Sequence, residues 1–559
     1  MDEGAFTDRA GHEIAEISDK SMWAFSTVPA TTVVLTATAG NRQAGLSWNA
    51  IPEANAYEVY QRLASGTYGD SPVATVTDAV YSAAYTATGL TNGTTYYFKV
   101  RAMNAGEEVA VSNEASATPR SPSGGGSSTP AQPTAPPEPE TANKGADVLV
   151  NGKVENAGTA TTTKRNDQTV TTITIDQKKL DDRLAAEGQG AVVTIPANAK
   201  SDVVVGELNG QMVKNMEDKQ AVLEIKTDRA AYTLPAQQIN ISAVSDQIGK
   251  SVALQDIKVQ VEIAAPAADT VKVVENAAAK GTFTLVASPL DFTVKAAYGD
   301  TVIEVSKFNA YVERTIAIPD GADPARITTG VVVEPDGTVR HVPTRIILID
   351  GKYYAKINSL TNSTYTVVWQ PLEFGDVANH WAKDAVNDMG SRMIIEGTGN
   401  GMFSPDRDIT RAEFAAIIVR GLGLKLENET TPFSDVKVAD WYNSAVNTAY
   451  AYHLINGFED GTFRPNDKIT REQAMIILSK AMAITGLKAK LTVHSADATL
   501  RPFGDAAGVS SWAISSITDC VQAGIVSGRS GTELAPKAFI TRAEVAAMVE
   551  RLLQKSDLI

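Results

Sequence analysis

The chain of 559 residues carries 65 acidic against 50 basic side chains, a formal net charge of −15, which excludes the broad basic face that nucleic-acid binding needs. A hydrophobic fraction of 43% and a charged fraction of 21% support packed cores, in about three to five domains at this length. The single Cys520 excludes an internal disulfide, five histidines in no paired spacing give no metal signature, so no metal or cofactor is expected, and no apolar run is long enough to span a bilayer.

Residues 1–28 open with MDEGAFTDRAGHEIAEISD, which lacks the charged-then-apolar pattern of a secretion signal. Within them, Asp8-Arg9-Ala10-Gly11-His12 followed by Phe25-Ser26-Thr27 is similar to the closing turn and strand of a bacterial Ig-like domain. A strand pair cannot fold without its partners. Residues 1–28 are therefore expected to be the remnant of such a domain, and the chain the C-terminal part of a longer exported protein. The other reading is a short N-terminal tail.

Residues 29–119 alternate apolar and polar side chains, as at Leu46 and Trp48 and at Tyr57 and Val59. Period-two alternation predicts half-buried strands. An Asn92-Gly93 turn precedes a further alternating strand, YYFKVRAMN. With Trp48 on the second strand and Leu90 and Tyr96 at a corner, the segment resembles a fibronectin type III domain, a β-sandwich that serves as a spacer or adhesive module. It contains no RGD tripeptide.

Residues 120–145, rich in Gly, Ser and Pro, have almost no apolar surface to bury and are predicted to be a linker. Residues 146–371 are β-rich. Candidate strands include TVTTITID, AVVTIPA, IKVQVEIAA and STYTVVW, with one short helix at Gln177 to Gly188 and hairpin turns at Pro335-Asp336-Gly337 and Asp350-Gly351-Lys352. The size predicts two packed all-β sandwich units divided near Ala264 to Asp269. No nucleophile, base and orienter converge there, and acid pairs such as Asp181-Asp182 fit a solvated face.

From Phe374 onward the chain repeats itself three times, over 372–424, 431–487 and 501–559. Trp381, Trp441 and Trp512 each stand 16 residues before Gly397, Gly457 and Gly528, which stand eight before Pro405, Pro465 and Pro536, which stand six before Arg411, Arg471 and Arg542. Constant spacing inside and variable spacing outside is what folded units joined by loops require. From each Trp a stripe at helical spacing, at Trp, +4, +5 and +8, runs through Trp381, Ala385, Val386 and Met389 in the first unit and through Trp512, Ser516, Ile517 and Cys520 in the third. Cys520 thus takes a core position, not that of a reactive thiol. The loops GNGMFSPDRD and EDGTFRPND lack the alternating acids of a calcium loop and are turns. The second helix of each unit opens on Thr410, Thr470 or Thr541, with Glu413, Gln473 or Glu544 three residues later, the pattern of a capping box.

Capping leaves the arginine after each threonine unexplained. A cation at a helix start opposes the helix dipole. Two readings are open. Each guanidinium, with the free helix start, forms an anion site suited to a carboxylate; or each pairs with Asp376, Asp435 or Asp505 of a neighbouring unit.

The motif F-x-D, W, G-x-x-x-G-x-F-x-P, T-R-A-E resembles that of S-layer homology domains, three of which often stand in tandem. Unit two departs from it at Glu472-Gln473, and unit three at Leu534 and Ser530-Gly531-Thr532, so the three sites need not be equal. The resemblance implies an α-helical body with pseudo-threefold symmetry, grooves between units, and binding of a pyruvylated secondary cell-wall polysaccharide linked to peptidoglycan. It implies Arg411, Arg471 and Arg542 as carboxylate contacts, Asp376, Asp435 and Asp505 as groove-lining acceptors, and Trp381, Trp441 and Trp512 as stacking platforms, against the alternative that these Trp residues are core. The expectation is a non-enzymatic, secreted surface protein held on a Gram-positive wall, with no membrane insertion and with self-association into an S-layer as a further option. The rival is the C-terminal part of an extracellular polysaccharide-degrading enzyme whose catalytic domain lies upstream.

Overall fold

The computed structural model describes residues 33–119 and 144–559, apart from short stretches within each. The expected Ig-like remnant (1–28) and almost all of the linker (120–145) lie outside the described residues. The chain forms two units, 1–136 and 137–559.

In the first unit, strands Leu35–Ala39, Gln43–Asn49 and Ser82–Thr88 form one antiparallel sheet. Strands Ala74–Thr77, Ala56–Leu63, Tyr96–Asn104 and Glu107–Val111, with Ala115–Ala117 against Tyr96–Asn104, form the second. The alternation expected at Tyr57 and Val59 places both in the core, with Trp48, Leu90 and Phe98. Trp48 and Tyr57 meet with ring centroids 5.7 Å apart. At the corner, the Thr91 amide donates to the Tyr96 hydroxyl at 3.1 Å.

The second unit begins with a continuous network of strands from Lys144–Val150 to Thr364–Trp369, closed into a barrel with one main core and two smaller apolar clusters. The predicted division into two sandwich units near 264–269 is not what forms. Strand Lys258–Ala264 pairs on one side with Val203–Asn209 and on the other with Leu290–Tyr298, so the sheet runs straight through the predicted boundary. Nor is the region all-β. The predicted helix appears as Gln177–Glu187, but Gly210–Asp218, Ile241–Ile248 and Ala268–Gly281 are helical too. The Gln177–Glu187 and Gly210–Asp218 helices lie on connections between parallel strand pairs, which need crossovers that a hairpin cannot supply. Arg314, fully buried in this core, donates to the carbonyls of Val312 at 2.9 Å and Thr361 at 2.7 Å and faces the rings of Tyr232 and Tyr365.

Each C-terminal repeat is a pair of helices: Lys383–Ser391 with Arg411–Gly421, Asn443–Ala451 with Arg471–Ile484, and Ile514–Gln522 with Arg542–Lys555. All three capping boxes form, on Thr410, Thr470 and Thr541. The apolar faces meet in a single core shared by the three repeats, in which Cys520 is fully buried and its thiol pushed up by desolvation. At the centre, the Ile469 amide donates to Ile409 O, that of Ile540 to Ile469 O, and that of Ile409 to Ile540 O. A ring of main-chain hydrogen bonds thereby passes through every unit and closes.

Candidate functional site

The arginines sit where each helix start meets the next unit's loop. The Arg411 and Ala412 amides donate to Asp467 O and Pro465 O, those of Arg471 and Glu472 to Ala538 O and Pro536 O, and those of Arg542 and Ala543 to Arg407 O and Pro405 O. Orphan helix-start amides are thus satisfied by carbonyls from another unit. The guanidiniums repeat the pattern. Nε donates at 2.8 Å to Phe463 O from Arg411, to Leu534 O from Arg471 and to Phe403 O from Arg542. Inward-facing carbonyl dipoles offset the cation's conflict with the helix dipole.

This corrects the expectation of an open guanidinium awaiting a ligand. Arg471 is 2% exposed and Arg542 4%. Arg471 pairs with Glu544 at 2.6 Å and Arg542 with Glu413 at 3.0 Å, both partners being capping-box residues of the next unit. Arg411 differs. Its counterpart is the neutral Gln473, and among the described residues no carboxylate hydrogen-bonds it. It packs instead between Phe458 and Phe463, at 4.8 Å and 4.7 Å from their centroids.

The three aspartates are not the arginines' partners either. Each carboxylate fastens its own unit's loop. Asp376 accepts from the amides of Phe403 and Ser404 at 2.8 and 2.6 Å, Asp435 from Phe463 and Arg464 at 2.7 Å each, and Asp505 from Leu534 and Ala535 at 2.9 and 2.7 Å. Ser404, Arg464 and Ala535 have φ of 58°, 57° and 49°. A left-handed backbone costs a non-glycine residue roughly 1–2 kcal/mol, and the paired carboxylate bonds hold it there. Both oxygens of each carboxylate face loop amides, so these residues shape the loop.

The tryptophans, by contrast, are outside the core. Trp381, Trp441 and Trp512 are 64%, 63% and 57% exposed. Each precedes its helix by a turn, and the next residue, Ala382, Tyr442 or Ala513, is the one buried. Trp381 overhangs a groove of about 830 Å³ lined by Arg471, Arg529, Glu544, Met548 and Arg551. That groove draws on all three units. Trp441 borders another, of about 720 Å³. At Trp512, Lys537 Nζ lies 5.9 Å from the ring centroid.

A second basic register escaped the sequence reading. Arg420, Lys480 and Arg551 each stand ten residues after the capping threonine, and Arg420 and Arg551 line the two grooves just described. Arg420 bonds Glu396 at 3.1 Å and Arg551 bonds Ile525 O at 3.4 Å. Partial burial lowers the Lys480 ammonium from its ordinary value.

The buried ion pairs predict a pH dependence. Burial alone would raise the Glu413 carboxyl, but the bond from Arg407, the Thr410 amide and the charge of Arg542 outweigh it and hold it below its ordinary 4.5. Glu544 is likewise lowered, burial being outweighed by Arg529, Arg471 and the Thr541 amide. A depressed carboxyl contributes stability that is present above the unfolded value and lost as pH falls through the folded one. The thermal midpoint of the helical body should therefore hold near neutrality and drop once pH passes below about 4.5. Glu413→Gln, which makes this unit resemble the second, should flatten part of that drop in a calorimetric pH series.

A family model of the S-layer homology domain matches residues 373–415, 432–475 and 502–546. The helical body is thus of the S-layer homology class. The chain carries three such domains behind its β-rich regions. Relatives include the "Surface-layer 125 kDa protein" of Lysinibacillus sphaericus, 32% identical over 32% of this chain and 14% of its own. The "Amylopullulanase" of Thermoanaerobacterium thermosulfurigenes is 28% identical over 69% of this chain and 19% of its own, and the "Exoglucanase XynX" of Acetivibrio thermocellus 38% over 35% and 18%. The chain spans about a fifth of the length of the last two. A solved "Fn3-like protein from Clostridium thermocellum" aligns with 17% of this chain and 99% of its own, at 34% identity and a TM-score of 0.14. Among the described residues, no helix is long and apolar enough to cross a membrane.

Proposed function

We propose that the three S-layer homology domains hold this chain non-covalently on a bacterial cell wall by binding an acidic secondary wall polysaccharide, with the β-rich regions as a spacer or outward-facing part. The observation that carries this reading is the exposure, at one register in every unit, of an indole beside basic side chains. An indole offers an apolar face with a polar edge, suited to the C–H face of a sugar ring. Arg420, Lys480 and Arg551, together with Arg411, whose hydrogen bonds go to carbonyls, are suited to carboxylates such as pyruvate ketals. The closed amide ring and the cyclic hand-off of arginines support a pseudo-threefold arrangement of grooves. Arg471, Arg542, Asp376, Asp435 and Asp505 then set groove shape from beneath. Self-association into a lattice fits the surface-layer relative, and two-dimensional crystals in electron micrographs would establish it.

A second reading is favoured by the two relatives named as polysaccharide-degrading enzymes: the chain is the anchoring part of a longer extracellular enzyme. It shares the wall-binding step and differs in what lies upstream, where a glycosidase domain in the gene would decide for it.

The test is sedimentation of the full chain with purified walls, intact, stripped of their polysaccharide, or depleted of pyruvate. Retention on intact walls and release from both treated forms is expected. Equal retention on stripped walls would sink the reading.

A further inference from the structure

The groove at Trp441 differs from the groove at Trp381 in one respect: part of its wall does not belong to an S-layer homology domain. Residues Glu334 to Thr338 form the turn between strands Thr329–Val333 and Val339–Val342 of the β-rich region. Pro335, Asp336 and Thr338 line the cavity opposite Trp441 and Arg420.

The hairpin is fixed in that position by several contacts. Glu334 pairs with Lys425 at 3.3 Å and with Arg340 at 3.4 Å. Arg340 donates to the carbonyl of Gly423, and the Tyr311 hydroxyl to that of Leu422 at 2.6 Å. Gly423 has φ of +61°, and a Cβ there would stand 2.8 Å from Pro343 Cδ and 3.0 Å from His341 O. The glycine permits the close approach. Leu360 of the β-rich region joins the helical body's own core.

The cavity also holds unspent polar capacity. His341, 2% exposed, lines it. Its Nδ1 lies 2.9 Å from the Thr329 hydroxyl, while its Nε2 has no hydrogen-bond partner. Burial, then the charges of Arg392 and Arg340, press the imidazole well below its ordinary value and keep it neutral. Buried polar atoms are nearly always satisfied in folded proteins, so the unpaired Nε2, itself shielded from solvent, is an unsatisfied group within the wall of this cavity.

We propose that the Trp441 groove is a composite carbohydrate site, in which the turn 334–338 of the β-rich region contacts the same acidic sugar chain as Trp441 and Arg420. The inference rests on the wall-polysaccharide reading above. It gives region 146–371 a part in recognition and makes the three grooves unequal.

The experiment titrates the full chain calorimetrically with a short fragment released from purified wall polysaccharide. Thr338→Trp places bulk in the groove from an exposed turn position. Asp336→Asn keeps an acceptor for the Thr338 amide, which Asp336 binds at 2.9 Å, and removes a negative charge. Thr338→Trp should lower the number of binding sites by one, as Trp441→Ala should, and the double variant should lose no more than either alone. Asp336→Asn should tighten an acidic fragment about two- to threefold. Wild-type binding by Thr338→Trp, when Trp441→Ala loses a site, would overturn the composite site and leave wall binding standing. Additive losses in the double variant would overturn it as well. Failure of the unaltered chain to bind the fragment would overturn both readings together.

Discussion

Arg542→Ala is expected to destabilise the helical body by about 2–3 kcal/mol, the cost of several buried hydrogen bonds lost together. The substitution removes a bond to Glu413, another to Phe403 O and a third to Glu396 O, and takes the guanidinium from its place 4.4 Å from the Phe403 ring centroid. Glu413 would keep Arg407 as its cationic partner, in a position only 18% exposed. Arg471→Ala should cost as much, since Glu544 and Leu534 O stand in the same relation to it. Arg411→Ala should cost less, about 1–2 kcal/mol, because it abandons carbonyls and two rings but no carboxylate. Denaturant unfolding of the three single variants checks the ranking. Three near-neutral results would show that the guanidiniums are not the joints described here. The expectation has a practical edge: loss of wall binding in a triple-alanine variant would report an unfolded body, not a lost ligand contact.

The tryptophans should behave in the opposite way. Trp381→Ala, Trp441→Ala and Trp512→Ala each remove a side chain more than half exposed, so stability should stay within about 0.5 kcal/mol of the parent. Binding should fall. A loss of about 1.4 kcal/mol at one groove is tenfold, and because linked sites on one polymer reinforce each other, the triple variant should lose roughly a hundredfold or more. Sedimentation with intact walls over a range of protein concentrations measures it. A folded triple variant that binds as well as the parent would remove the indoles from the site.

Much of the helical body was legible in advance. The capping boxes and the core position of Cys520 both follow from fixed spacing and helical periodicity. Spacing shows that a position matters, yet not which way it faces. Arg471 and Arg542 turned inward because their acceptors are main-chain carbonyls of another unit, Leu534 O and Phe403 O, and no side-chain pattern announces a carbonyl. The tryptophans stood one residue ahead of the buried positions, a shift too small for periodicity to place. Arg420, Lys480 and Arg551 were visible as a register but sat among helix-compatible residues that drew no notice. In region 146–371 the strands are short, and their partners are remote: Lys258–Ala264 joins Val203–Asn209 and Leu290–Tyr298. Alternation marks a strand without naming its neighbour, so the continuous sheet could not be seen.

The ring of amides through Ile409, Ile469 and Ile540 has a consequence for anyone cutting this chain. Every unit lends its loop to one neighbour and borrows a loop from the other, so a lone unit, or a pair, would carry a bare helix start at one end and an unclaimed loop at the other. Three is the smallest number at which the debts cancel. Deleting any one unit should therefore cost the fold of the remaining two.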